Sequence, residues 1–258
     1  MKKAIIAVLA AAGFASCSTS YSIQGTSDVS MLDGHMLYLK AQKGDEVKNI
    51  DSCDVVHGQF EFHGQIDSTK VAVVYLDNQN LMPVVLEEGD IVMNINSSGQ
   101  SCKGTPLNDT LSVFTEKYNQ LINDMADLER EPYQAIMNGT DVVEAAQKSQ
   151  AKSDKLSVDL EKLVTSFIEQ NFDNVLGPFV FQMVTGSMEY PMSSPWIEAL
   201  MSKATDAFKN DKYVKEFMQM AERNQAIMTG MEDPTPAPVP TDQPIDEAPT
   251  PNELAGEK

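Results

Sequence analysis

The chain reads as an α+β protein: an antiparallel β-sandwich or open barrel, then a helical region, then a disordered tail. Three observations predict this. Short apolar runs, some strictly alternating, recur about every ten residues as far as residue 105. From Pro106 onward the apolar residues recur at helical spacing instead. After Met231 the composition turns acidic and proline-rich. The divisions that follow are a leader over 1–16, a short tether over 17–20, a β domain over 21–105, a helical region over 106–230 and a tail over 231–258.

The leader opens with Met1-Lys2-Lys3, a positive stretch, followed by an apolar run from Ala4 to Ala12. That run is too short for an ordinary spanning helix and suits a signal peptide. Phe14-Ala15-Ser16-Cys17 follows. Two small residues before a cysteine, directly after an apolar run, look like a lipobox, with cleavage before Cys17 and diacylglycerol on its thiol. Phe14 stands where leucine is usual. The other reading is a plain secretory peptide cut after a small residue. Acyl chains on Cys17 would hold the protein to a membrane at about 0.8 kcal/mol per buried CH₂. No acidic run follows the cysteine, which favours the outer membrane facing the periplasm and leaves surface exposure open. The formal net charge is −19, and loss of Lys2 and Lys3 with the leader takes it to −21. Such a surface repels phosphate backbones, so nucleic acid is not an expected partner.

In the β region the first strand is expected at Tyr21–Gly25 and the next at Met36–Leu39. Lys43-Gly44-Asp45 is turn chemistry. Val47–Val56 leads into His57-Gly58, a tight hairpin turn, and Gln59–His63 alternates so that Phe60 and Phe62 face a core. Val71–Leu76 is apolar on both faces, as in an interior strand. Leu81–Leu86 and Ile91–Ile95 flank a turn at Glu87-Glu88-Gly89-Asp90. At the junction, Pro106 suits a first helical turn and Thr105 its cap. The first helix carries the stripe Leu111, Phe114, Tyr118, Leu121, Met125 and Leu128. Asp141 and Glu144 resemble a capping box before a second long helix, apolar at Leu156, Leu160, Leu163, Phe167 and Ile168. Leu176–Val184 is a buried segment, Pro195–Leu200 a short helix and Tyr213–Ile227 the last one. Seven of the 13 prolines fall between Pro234 and Pro251, with seven acids from Glu232 to Glu257. Such a segment cannot offset the entropy of folding. Extended at about 3.1 Å per residue it would reach about 80 Å.

Catalytic signals are sparse. No Gly-x-Ser-x-Gly elbow, glycine-rich phosphate loop or calcium loop occurs. His35, His57 and His63 read as surface or turn residues; on a strand the last two would lie about 20 Å apart, too far to share a metal. The 15 methionines, Met218 and Met220 among them, read as core filling. No catalytic residue, metal or cofactor is expected. Cys53 and Cys102 remain after lipidation, and an oxidising compartment permits a disulfide between them. The alternative is two small apolar side chains in or near strands. There is no Cys-x-x-Cys redox motif.

Several segments together carry a resemblance: Leu37-Tyr38-Leu39, Asp51-Ser52 leading to Gly58-Gln59-Phe60-Glu61-Phe62-His63-Gly64, Leu86-Glu87-Glu88-Gly89-Asp90, and Lys103-Gly104-Thr105-Pro106-Leu107-Asn108-Asp109. Residues 20 to 110 resemble the domain of unknown function numbered 4369, found in lipoproteins of the Bacteroidetes, usually before a thioredoxin-like domain. Here the acidic proline-rich tail stands where that domain would begin. The resemblance implies a location and a fold but transfers no active site. It also implies a phylum with a three-residue O-glycosylation pattern, which Asp67-Ser68-Thr69 and Asp109-Thr110-Leu111 match at Ser68 and Thr110.

Two functions remain in view. One is a membrane-anchored, non-enzymatic binding or assembly module, meeting an envelope protein through the helical region or tail. The other is an accessory to envelope thiol–disulfide chemistry. Replacement of Cys17 by Ser is expected to move the protein from the membrane to the soluble fraction on cell fractionation. Continued membrane retention would count against the anchor.

Overall fold

The computed structural model describes residues 19–44, 46–137 and 142–232. The leader, Cys17, Asp141 and the proline-rich segment lie outside them. Eight strands come first: β1 (Thr19–Ser27), β2 (Met36–Lys43), β3 (Glu46–Asp54), β4 (Gln59–Ile66), β5 (Lys70–Leu76), β6 (Gln79–Leu86), β7 (Gly89–Asn96) and β8 (Gly99–Lys103). Six helices follow: α1 (Pro106–Met137), α2 (Val142–Gln170), α3 (Leu176–Thr185), α4 (Pro195–Lys203), α5 (Asp206–Asn210) and α6 (Lys212–Met228). The α+β class and its order are as the sequence predicts. β1 starts at Thr19, so Thr19 and Ser20, expected in the tether, pair with Ile66 and Gln65.

The strands form two four-stranded sheets, β4-β1-β7-β8 and β3-β2-β5-β6, so the β domain is a sandwich rather than a barrel. The chain changes sheet four times, after β1, β3, β4 and β6. All ladders are antiparallel except β1 with β7, which is parallel. The parallel pair and the short strand β8 depart from the expected layout. The turn at His57-Gly58 is as expected, with φ of 52° and 71°, the positive values of a type I′ turn. It does not open a long hairpin, however. Beyond the Val56–Gln59 bridge its strands part into different sheets.

Alternation places one face of each sheet inward. Ile23, Phe62, Ile91 and Met93 from one sheet meet Leu37, Leu39, Val74 and Val84 from the other, all fully buried. The glycine and aromatic spacing of the β region has a direct cause. Gly25 pairs with Phe60 and Gly64 with Tyr21 across β1 and β4. A Cβ on Gly25 would stand 2.0 Å from the Phe60 ring, and one on Gly64 would stand 2.6 Å from Tyr21 Oη. Each aromatic ring lies over the glycine opposite, covering the backbone the glycine leaves bare.

A second core lies among the helices. Phe181 is its centre, packed against Trp196, Phe208, Tyr213 and Phe217 at ring separations of 5.2 to 6.4 Å. Strand β6 serves both cores: Val84 and Leu86 face the sandwich, while Val85 belongs to the helical core. Val71 on β5 packs on the helical core too. The outer face of this sheet is therefore covered, which accounts for the two-sided apolar pattern of Val71–Leu76.

One buried side chain joins the two halves. Asn108, fully buried in the first turn of α1, accepts from the Val85 backbone N–H at 2.9 Å and donates to its carbonyl at 2.8 Å. It also donates to Thr105 Oγ1 at 2.8 Å and accepts from Cys102 Sγ at 3.4 Å. β6 is an edge strand, so Asn108 covers backbone groups that would otherwise be open. Thr105 holds the N-cap position, its carbonyl accepting from Asp109 N–H, but its hydroxyl does not cap the helix. Glu87 does so from the β6–β7 turn, its Oε1 accepting from the N–H groups of Leu107 and Asn108 at 2.8 and 3.2 Å. Its negative charge also suits the helix N-terminus. Gly104 completes the joint with φ +108°, where a Cβ would meet the Asp90 carbonyl oxygen at 2.5 Å.

Asn108→Ala would leave the Val85 N–H and C=O buried without partners. At about 1–3 kcal/mol for each such group, we expect a loss of about 2–6 kcal/mol, measured by chemical denaturation.

Candidate functional site

The structure does not bring the two sequence-predicted cysteines together. Cys53 lies on β3 and Cys102 on β8, edge strands of different sheets. β3 is joined to β4 by the His57-Gly58 turn and by Asp51 Oδ2 accepting from His63 N–H at 3.1 Å. β8 is tied through Asn108 to β6. The thiols thus sit at opposite ends of the sandwich. Three strand spacings separate those ends, about 14 Å, against a Cα separation of at most about 7 Å for a disulfide. Of the two readings the sequence left open for this pair, the structure has the two thiols free and apart.

Both are also held in the neutral form. Burial pushes the half-buried Cys53 up to about 11, with Asp51 and Asp54 adding to it against a hydrogen bond at the Glu61 backbone. Burial pushes Cys102 up to about 12, helped by Asp109 and Glu87. Ser68 is exposed in the bend between β4 and β5. Thr110 is exposed on α1, its hydroxyl donating to the Pro106 carbonyl at 2.8 Å. His35 and His57 are exposed near the turns, and His63 on β4 lies 2.8 Å from Glu61. Among the described residues no group of three or more His, Cys, Asp or Glu is placed to hold a metal ion.

Two features stand out beyond those residues. The first is a groove of about 450 Å³ between the covered sheet and the helices. Lys40, Val71, Val73 and Tyr75 line it from the outward faces of β2 and β5; Val175, Phe179 and Tyr213 line it from the helical side. Lys40 Nζ stands 4.5 Å from the centroid of the Tyr75 ring and 5.6 Å from that of Tyr38. At one end Lys212 Nζ donates to the Gly44 carbonyl at 3.1 Å, linking α6 to the β2–β3 turn. Sequence reasoning missed the groove. The two-sided apolar strand signalled that something covers β5, but not which helix does so.

The second feature is an arm. α1 contributes Leu107, Leu111, Phe114 and Tyr118 to the helical core, and α2 contributes residues from Leu160 onward. Among the described side chains, residues 119–131 of α1 and 143–159 of α2 belong to neither core. At 1.5 Å per residue, α1 from residue 119 to Met137 is about 28 Å long. The two helices hold each other by a thin seam. Leu121, Met125 and Leu128 of α1 and Leu156 of α2 are half-buried, and Ser149 is buried. Glu131 fixes the register, accepting from Lys152 Nζ at 2.6 Å and from Ser149 Oγ at 2.7 Å. Those two bonds hold its carboxyl below the usual range. Among the described residues no helix is long and apolar enough to cross a membrane.

Residues 21–111 match the family described as Domain of unknown function (DUF4369). The β half is therefore a domain of that family, as the resemblance implied. The match ends at Leu111, one turn into α1, just past the Asn108 joint and at the first α1 residue fully packed in the helical core. No curated protein and no solved structure matches the chain.

Non-reducing mass spectrometry of the native protein is expected to find both thiols free, and Cys102 should react with maleimide only on unfolding. Their folded pKa values of about 11 and 12 lie above the ordinary 9.0. Their contribution to stability is thus complete below about pH 9 and lost as pH rises toward 11 to 12. Melting temperatures should fall across that window, less steeply in a Cys53→Ala, Cys102→Ala double variant.

Proposed function

We propose that the protein is a cell-envelope lipoprotein, anchored at Cys17 to the outer membrane facing the periplasm, that works as a non-enzymatic binding or assembly module. The observation that supports this most is the two-helix arm. Among the described side chains, the outer part of this helical hairpin serves neither core and is held by its own seam, whereas helices gain most of their stability from packing. Such an extension has its use in contact with something else. The lipid would set the arm's starting point. Only Ser18 separates Cys17 from β1, and at about 3.6 Å per residue the sandwich would lie nearly flush with the bilayer. The helical half would then carry the arm to an envelope protein. An accessory role in thiol–disulfide chemistry has less support, because it needs a reactive thiolate and burial disfavours one at both cysteines. Ser68, exposed in a bend, is the better placed of the two O-glycosylation candidates.

The test is to replace residues 121–156 with a short glycine-rich turn. Crosslinking in the native envelope should lose a specific adduct, while the melting temperature of the remaining body changes little. An unchanged crosslinking pattern would sink the proposal.

A further inference from the structure

We propose that the groove between the covered sheet and the helices binds a small amphiphilic anion, with one carboxylate or phosphate head on an apolar body. Its volume, about 450 Å³, falls in the range of small-molecule sites, which favour the seams between structural units. Val71, Val73 and Phe179 give it an apolar wall, and these are the outward residues of an interior strand and a helix face turned toward them. Lys40, Lys70 and Lys212 bring three ammonium groups to this wall, in a chain with 38 acidic and 19 basic residues.

The three lysines are not equivalent. Lys70 is paired with Asp67 at 2.6 Å, and Lys212 lies 4.0 Å from Glu216. Lys40 has no carboxylate at ion-pair distance among the described residues; the ring of Tyr75 positions it instead. Where acids outnumber bases two to one, a cation fixed by an aromatic ring and left without a carboxylate is set for an anion from outside. Asp211 and Glu216 also border the groove. The Asp211 carboxylate is engaged by the N–H groups of Tyr213 and Val214, which lowers its repulsion of a bound anion.

The test uses the purified full-length protein and the fluorescent fatty acid 11-(dansylamino)undecanoate. Saturable binding of one probe per chain is expected, displaced by dodecanoate or dodecyl phosphate. The better competitor of the two identifies the head group. Dodecanol and dodecyltrimethylammonium should compete at least about tenfold less well, the loss of one charge-assisted hydrogen bond. Lys40→Met should weaken probe binding about tenfold by the same reckoning, and Lys40→Arg should restore it. Absence of saturable binding, equal competition by dodecanol, or full affinity in Lys40→Met would overturn the proposal. So would binding seen only after deletion of residues 233–258, which would make the chain's own C-terminal segment the occupant. The arm lies elsewhere, so deleting it leaves this result unchanged and the two readings fail separately.

Discussion

The structure depends on the two hydrogen bonds that Asn108 exchanges with the backbone of Val85. A carboxamide can donate and accept at once, so it completes a strand edge much as a neighbouring strand would. In doing so it fixes where α1 begins and in which direction it leaves. Glu87 then satisfies the first helical N–H groups from the opposite side of the turn, and Gly104 lets the chain pass close to Asp90. The run from Lys103 to Asp109 is thus a mechanical joint. Thr105, Asn108 and Asp109 are engaged with one another and with the backbone.

From that joint the two cores follow. The sandwich closes through inward residues of both sheets, and β6 turns Val85 the other way to begin the helical core. The direction of α1 sets the arm, because α2 returns along it and enters the core only from Leu160 onward. The same packing leaves the groove, since α3 and the start of α6 cover the outer face of β5 without filling the space above Lys40. Arm and groove are both by-products of how one helix is fastened to one strand.

Much of this was legible in the chain. Phe60 and Phe62 alternate with Glu61 and His63, and the fold buries and exposes them accordingly. The stripe from Leu111 to Leu128 marks α1, although only Leu111 and Phe114 are fully packed. The five-residue helix α5 escaped because so short a segment carries no periodicity. β8 escaped because Gly99-Gln100-Ser101-Cys102-Lys103 has one apolar residue. The site residues were less legible than the fold. The cysteines could be counted but not located. Lys40, Tyr75, Phe179 and Lys212 are far apart in sequence, and nothing local marks them as neighbours.

The sequence by itself determined that strands come before helices, the inward face of Gln59–His63, a tight turn at His57-Gly58 and the place where strands give way to helices. These are local properties, set by side-chain period and by the backbone preferences of a few residues. Only the tertiary structure decided which strands share a sheet, that β1 runs parallel to β7, that Glu87 rather than the Thr105 hydroxyl caps α1, and that Cys53 and Cys102 lie at opposite edges. Those outcomes rest on contacts between segments 20 or more residues apart. The free energy of such contacts depends on shape and burial in three dimensions, and no window of sequence contains it.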